Sequence, residues 1–323
     1  MARLKLKKTA KNKIIIISLS IILAVIITNK LTNFIEESKY KKTYEYKLIE
    51  LGYEKADAII LDKKLNNKNL DYLLTIDTNK DIVNLAKDKY FINKNLKRYL
   101  AFMDNNRELN MRSVIEHINV GRDKDFYQDT KKVDISKKEL MLVNKYHHLN
   151  EDYVPENLVT VSQKYAWGEK GSQKCAKVTY DAFLKMWEVA NDSGYYLMIN
   201  SSYRDFEKQN NIFESYKKRY GIEYAEDYAA HPGYSEHQTG YALDIVDKNY
   251  TSKDTFTTSE AFNWMKDNAY KFGFILRYQE EKESVTGTNF ESWHYRYVGT
   301  KAAKYIYENN ITFDEYYAFF IEK

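Results

Sequence analysis

SEHQTGYALD, residues 235 to 244, places a histidine, a glycine and an aspartate within ten positions of a chain that has only six histidines. This stretch decides the fold, because no regular element lets His237 and Asp244 share one metal. A straight helix would hold them about 10 Å apart and a straight strand more than about 20 Å, against metal–ligand bonds of about 2.0–2.2 Å. The chain must therefore turn between them. Gly240 stands where such a turn is wanted. Tyr241 to Val246 then alternates as a strand, presenting Asp244 on the side opposite Leu243 and Ile245.

The complement lies downstream in ESWH, residues 291 to 294. Zinc hydrolases use three protein ligands and keep one position open, commonly with histidine and carboxylate donors, and His237, Asp244 and His294 supply that set. Glu291 precedes His294 by three. A regular strand would direct the two to opposite faces, so Glu291 is expected just ahead of a strand over Trp293 to Val298. Its expected role is general base: it takes a proton from the attacking water and delivers it to the leaving amine. Singly these residues say little, since a lone histidine is more often structural and ExxH recurs by chance. Their combination with SSYRD (201–205) and WHYRYVG (293–299) carries the reading.

Around these motifs the pattern alternates between helix and strand. Ser172 to Ala190 reads as an amphipathic helix with Cys175, Thr179, Ala182, Phe183, Met186 and Ala190 on one stripe, Ser172 as N-cap and Gly194 past its end. Tyr195 to Ser201 reads as a core strand. Asp205 caps a helix to about Tyr220, and Ser259 to Phe272 forms another, stopped by Gly273. From Ile115 onward, HINVG and LMLVNKYHHL are enriched in β-branched and aromatic residues. The domain boundary is expected near residue 112. The order points to an α+β fold: a small antiparallel sheet with flanking helices, carrying the zinc site in residues 112–323.

Ile14 to Thr28 (IIIISLSIILAVIIT) is an uncharged apolar run behind six basic residues. As a helix it spans about 22 Å, short of an approximately 30 Å hydrocarbon core, and Lys13 and Lys30 can snorkel to close the gap. A cleaved signal peptide has an apolar region of similar length, but no small-x-small cleavage site follows. The expectation is a single-pass anchor over 14–29 in the cell membrane, with a basic cytoplasmic tail at 1–13 and the remainder outside. Residues 30–111 read as a helical stalk or wall-binding region. Lys55 to Leu65 carries Ala56, Ile59, Ile60 and Leu65 at helical spacing, and Asp81 to Tyr90 carries Ile82, Leu85 and Ala86. NKNLDYLL at 67–74 is echoed by NKNLKRYL at 93–100, suggesting a duplicated helical unit.

Composition narrows the function classes. With 44% hydrophobic residues, 30 Tyr and 15 Phe, the bulk belongs to a folded chain. The formal net charge of +4 misleads, because residues 1–30 hold seven basic and no acidic groups. The rest carries 43 basic against 46 acidic residues, or −3. A nucleic-acid binder concentrates positive charge on its folded part, so nucleic acid is not an expected partner. The single cysteine, Cys175, rules out an intrachain disulfide and is expected in the core.

LVNKYHHLNEDYVP, SSYRDFEKQ, PGYSEHQTGYALDI, FGFILRY, ESWHYRYVG and the terminal helix around Phe313 to Phe320 together resemble the VanY-like D-alanyl-D-alanine carboxypeptidases, zinc metallopeptidases related to lysostaphin-type and hedgehog-type domains. The likeness covers about residues 112–320. It implies one zinc ion on His237, Asp244 and His294, with Glu291 as base and Arg204 stabilising the developing oxyanion. It also places Gln209 and Ser235 in the substrate pocket near the terminal carboxylate. The implied substrates are peptidoglycan stem peptides, cut by D,D- or L,D-carboxypeptidase action; a non-catalytic wall-binding protein on the same fold is the third option. Gln279 and Ser292 stand where such sequences usually have proline, and His231 has no role in the pattern and reads as a loop residue.

Overall fold

The computed structural model describes residues 2–168 and 172–322, with the side chains of 2–12, 14 and 253 left aside. The basic flank expected ahead of the anchor thus lies outside the described side chains, except for Lys13. The chain divides into two compact units, Met1–Leu96 and Lys97–Lys323, rather than at the expected residue 112.

In the first unit α1 (Ala2–Tyr40) is one continuous helix, and its portion Ile15–Tyr40 is long and apolar enough to cross a membrane, a property that a signal sequence shares. Four short helices follow: α2 (Tyr44–Leu51), α3 (Lys55–Lys64), α4 (Asn67–Leu73) and α5 (Lys80–Lys87). Thr43 caps α2 by accepting from the Tyr46 amide, and Gly52 ends it at φ 112°, a conformation glycine adopts without steric penalty. The expected buried stripe of α3 is shifted. Ala56 and Ile59 are exposed while Asp57, Ala58 and Leu61 are buried. Asp57 turns that face inward by pairing with Lys80 at 2.7 Å and Lys87 at 3.6 Å. The α5 stripe of Ile82, Leu85 and Ala86 is buried as expected. The two repeat copies meet: Asn69 Nδ2 donates to the Asn93 carbonyl at 2.8 Å, and Asn93 Oδ1 accepts from the Asn66 amide at 2.9 Å.

The second unit begins within α6 (Leu96–Asn105), one residue past its start, and continues into α7 (Met111–Val120). The β-character expected from Ile115 is overturned here. Val114, Ile115 and Ile118 fall at helical spacing on a buried face, Asn110 caps the start and Gly121 the end. Arg112 binds Glu315 at 3.1 Å, which ties α7 to the carboxy-terminal helix and explains why the boundary precedes it. LMLVNKYHHL yields only a two-residue strand, with β1 (Lys131–Lys132) parallel to β2 (His147–His148).

β3 (Leu158–Thr160) pairs antiparallel with β4 (Lys174–Ala176). That pairing draws Cys175 into a ladder, so the helix α8 (Lys177–Asp192) begins five residues after the expected cap Ser172. Its stripe of Thr179, Ala182, Phe183, Met186 and Ala190 is nonetheless buried. Cys175 is buried too, and burial pushes its thiol up to about 12.

The main sheet contains β5 (Leu197–Ser201), β6 (Ala242–Asp247), β7 (Phe274–Leu276) and β8 (His294–Tyr297) in the order β5-β6-β8-β7, antiparallel throughout. Between β5 and β6 lie α9 (Phe206–Tyr220), capped by Asp205 as expected, and α10 (Ile222–Tyr228). α11 (Lys253–Thr257) and α12 (Glu260–Asn268) precede β7, and a tight turn to Gly273 closes the segment. α13 (Glu283–Thr286) precedes β8, and α14 (Thr300–Asn309) and α15 (Phe313–Phe320) end the unit. Phe183 and Met186 of α8, Met265 of α12 and the inward residues Leu197, Ile199, Leu243, Ile245 and Tyr295 form the core. The alternation that buries Leu243 and Ile245 on one sheet face leaves Asp244 on the other. The α+β architecture is as expected.

Candidate metal centre and cleft

The turn demanded by the spacing of His237 and Asp244 is present. Glu236–Thr239 is a single 3₁₀ turn, and Gly240 follows at φ 72°. A side chain there would also meet the Ala176 amide nitrogen at 3.2 Å and Leu158 at 3.3 Å, so both conformation and space select glycine. β6 then carries Asp244 directly opposite His294 of β8.

Three donor atoms converge from these elements. His237 Nε2 lies 3.3 Å from Asp244 Oδ1, and His294 Nδ1 lies 3.3 Å from the same oxygen. One ligand atom from each residue lies within 4.8 Å of the others. A tetrahedral ion with bonds of about 2.0–2.1 Å requires ligand atoms about 3.3–3.4 Å apart, so the two nitrogen–oxygen separations fit zinc. His237 Nε2 and Asp244 Oδ1 are buried without a hydrogen-bond partner, which is what a cation would satisfy.

The imidazoles are fixed from behind. His237 Nδ1–H donates to the Ser202 carbonyl at 2.7 Å, which leaves Nε2 as the lone-pair atom facing Asp244. Burial and the nearby Arg204 charge lower His237 to about 4, keeping it neutral. His294 Nε2 faces Glu236 Oε2 at 3.3 Å. Burial opposes charge on His294, but the carboxylates of Asp244 and Glu236 outweigh it and raise the ring to about 9. A cation at Nδ1 therefore has to displace a proton. Burial would raise Asp244, but the two histidines hold it well below the usual carboxylate range.

Glu291 sits where expected, just ahead of β8. Its amide donates to the Tyr278 carbonyl at 3.1 Å, its own carbonyl accepts from the His294 amide at 3.2 Å, and Oε2 lies 3.5 Å from His294 Nδ1. Ser292, at one of the departures from proline, is locked instead by a 2.8 Å bond between its hydroxyl and that of Thr257. Arg204 follows β5, and its Nε is buried with no hydrogen-bond partner. Burial lowers its pKa while Asp244 and Glu291 oppose that; a guanidinium remains charged. Gln209 Nε2 donates to the Ala230 carbonyl at 2.7 Å, leaving Oε1 buried and unpartnered. Arg204, Gln209, Ser235, His237, Glu291 and His294 all line one cavity of about 130 Å³, small enough to suit a single short residue.

The sequence reading missed the group behind the metal-facing atoms. Glu236 is fully buried and accepts from Arg277 Nε at 2.9 Å and from an Arg296 terminal nitrogen at 2.9 Å. Burial would raise its pKa, but the two guanidiniums and His294 hold it far below the carboxylate range. Arg277 also reaches Asp314 at 2.6 Å. A signal for this cluster was available: Arg296 lies two residues after His294 and so shares its strand face. His231 is not a bare loop residue. Its ring stacks on Tyr127 at 3.9 Å and meets Glu226 at 2.7 Å.

Comparison with known proteins places this geometry. The family model for VanY, D-alanyl-D-alanine carboxypeptidase, matches residues 172–300, a span that holds every residue just described as metal-facing or cleft-lining from Arg204 to His294. YodJ of Bacillus subtilis (strain 168) is 39% identical over 201 residues, which is 59% of this chain and 74% of YodJ. The chain belongs to the VanY carboxypeptidase family. A D-alanyl-D-alanine carboxypeptidase of Enterococcus faecalis (strain ATCC 700802 / V583) is 34% identical over 186 residues, 55% of this chain and 65% of that protein. Among solved structures, the LdcB LD-carboxypeptidase is 36% identical and covers 59% of this chain and 91% of its own, with a TM-score of 0.56.

Proposed function

We propose that the chain is a zinc-dependent D,D-carboxypeptidase that removes the terminal D-alanine from peptidoglycan stem peptides. The observation that carries this is the set of converging, unpartnered buried atoms of His237 and Asp244, completed by His294, in one small cleft with Glu291 and Arg204. His237, Asp244 and His294 would hold the ion. When bound, zinc lowers the pKa of water to about 7 and polarises a carbonyl.

The chain's own groups then divide the work. Glu291, beside His294, accepts the proton of the attacking water and returns it to the leaving amine. Arg204 supplies a fixed positive charge where the tetrahedral oxygen develops, in a buried setting where such charge counts most. Gln209 Oε1 accepts from a substrate N–H, and Ser235 donates to the terminal carboxylate. The helix over Ile15–Tyr40 serves as a single-pass membrane anchor with the basic end inside, so the cleft works on the outer side. Residues 30–111 act as stalk or wall-binding region.

L,D-carboxypeptidase action on tetrapeptides is the second reading, favoured by the likeness to the LdcB LD-carboxypeptidase. The test is one experiment on detergent-solubilised full chain, wild type against His237→Ala, measuring zinc content and D-alanine release from pentapeptide and tetrapeptide muropeptides. Release from the pentapeptide, one zinc per chain, and loss of both in the variant are expected. Release from the tetrapeptide alone moves the assignment to the second reading. Bound zinc with neither substrate cut makes the protein a wall-binding module.

A further inference from the structure

α9 and α10 carry tyrosines at 216, 220, 224 and 228, each four residues after the last, a spacing that stacks side chains in one row along a helical face. The row survives the break between the helices because Gly221, at φ 94° and ψ 168°, takes a backbone conformation closed to other residues. Gln209, Phe213 and Ala225 are the buried residues of the two helices, and the row runs from their border out to the surface. Their rings form a ladder. Tyr216 and Tyr224 are 5.8 Å apart between centroids, Tyr220 and Tyr224 4.6 Å, and Tyr224 and Tyr228 4.3 Å in a stacked pair.

Packing does not account for this ladder. Tyr220, Tyr224 and Tyr228 remain 54%, 38% and 50% exposed, and the neighbouring Ile222 is 49% exposed. A contiguous aromatic patch of this kind marks a binding surface more often than a stabilising one. Its position says what binds. Tyr216 and Tyr228, the first and last members of the row, also line the cleft that holds Glu291, His237 and His294. The ladder is therefore a continuation of the active-site wall into solvent.

We infer that the tyrosine ladder of α9 and α10 is a carbohydrate subsite that holds the glycan strand to which the stem peptide is attached. This rests on the proposed substrate. A stem peptide with its free end in the cleft leads, at its other end, to a saccharide outside it. Sugar rings present C–H faces that pack on the electron-rich faces of aromatic rings. The Tyr220 and Tyr224 hydroxyls, which have no partner among the described residues, can exchange hydrogen bonds with sugar hydroxyls. The row offers ring surface and hydroxyls, and the Arg219 guanidinium, 5.8 Å from the centre of the Tyr220 ring, adds a donor for sugar hydroxyls beside it.

The experiment compares the detergent-solubilised full chain with Tyr220→Ala/Tyr224→Ala and with Tyr220→Phe/Tyr224→Phe. The probes are a free stem peptide, the same peptide on its disaccharide, and glycan strands stripped of peptide by amidase. Wild type is expected to show a KM about tenfold lower for the disaccharide-linked substrate and to bind stripped strands; the alanine variant loses both, and the phenylalanine variant keeps most of the advantage. The free-peptide value does not move. Equal KM for the two substrates together with no binding of stripped strands overturns the inference. A dimer of the wild type that the alanine variant disperses, without glycan binding, also overturns it and assigns the face to self-association. Glycan binding without hydrolysis of any peptide keeps the subsite and removes the proposed activity instead.

Discussion

The two sides of His294 are built on opposite terms. Behind its Nε2, Glu236 is met by His294, Arg277 and Arg296, Arg277 is met by Asp314, and Arg296 also donates to the Met141 carbonyl at 2.7 Å. In front of its Nδ1, His237 Nε2, Asp244 Oδ1, Arg204 Nε and Gln209 Oε1 are just as buried and have no hydrogen-bond partner. Each such group costs about 1–3 kcal/mol to leave bare. The same fold that satisfies one set completely leaves the other open. Charge is neutralised where it fixes geometry and withheld where a ligand is to supply the partner. The rear side is a scaffold, the front a site, and each substitution that follows tests which side a residue serves.

The largest effect is expected from Glu291→Gln. The proposed base is removed while the shape is kept, so kcat should fall by about 10²- to 10⁴-fold. Zinc content and melting temperature should stay at wild-type values, because Glu291 is not among the three converging ligands. Loss of zinc in this variant would make Glu291 a ligand and end its assignment as base. Next in size is Arg204→Lys, which keeps the charge but not the planar fork. A drop in kcat of about 10²- to 10³-fold with KM little changed is expected for an oxyanion stabiliser. A raised KM with kcat intact would instead make Arg204 a ground-state anchor for the substrate carboxylate.

The front side was legible in the sequence and the rear was not, for a physical reason. Metal ligation demands particular atoms within a few ångströms, so the seven-position separation of His237 and Asp244 already required a turn at Gly240 and a partner strand, both of which are found. Glu291 could be placed ahead of β8 by strand alternation alone. Glu236, by contrast, is recognised through Arg277, just past β7, and Arg296 of β8. Strand alternation puts Arg296 on the face of His294, but no local pattern joins the two arginines to a glutamate 41 and 60 residues away. Elsewhere, local propensity was overridden by tertiary pairing. Cys175 carried a helical stripe but was drawn into the ladder with Val159, and the β-branched residues after Val114 pack as a helix against α15. The buried stripe of α3 moved because Asp57 found lysines on α5.

The smallest effect at the site, and the sharpest test of the comparison, is Glu236→Gln. Glutamine has nearly the same shape but leaves two buried guanidiniums short of a counter-charge, and removing one member of a buried ionic cluster costs about 3–5 kcal/mol. The loss should appear in denaturant unfolding of the metal-free protein. Because the folded carboxyl lies below its ordinary pKa, its contribution is present above the carboxylate range and fades as pH falls through and beneath that range. The wild-type advantage over the variant should therefore shrink on acidification. At the metal, His294 loses the carboxylate that orients its ring, and zinc affinity should drop by about 10- to 100-fold. Activity at saturating zinc should return to near the wild-type value, since no front-side group has changed. If it stays depressed with zinc fully bound, Glu236 acts in the chemistry itself, and the division between scaffold and site fails at the residue that joins them.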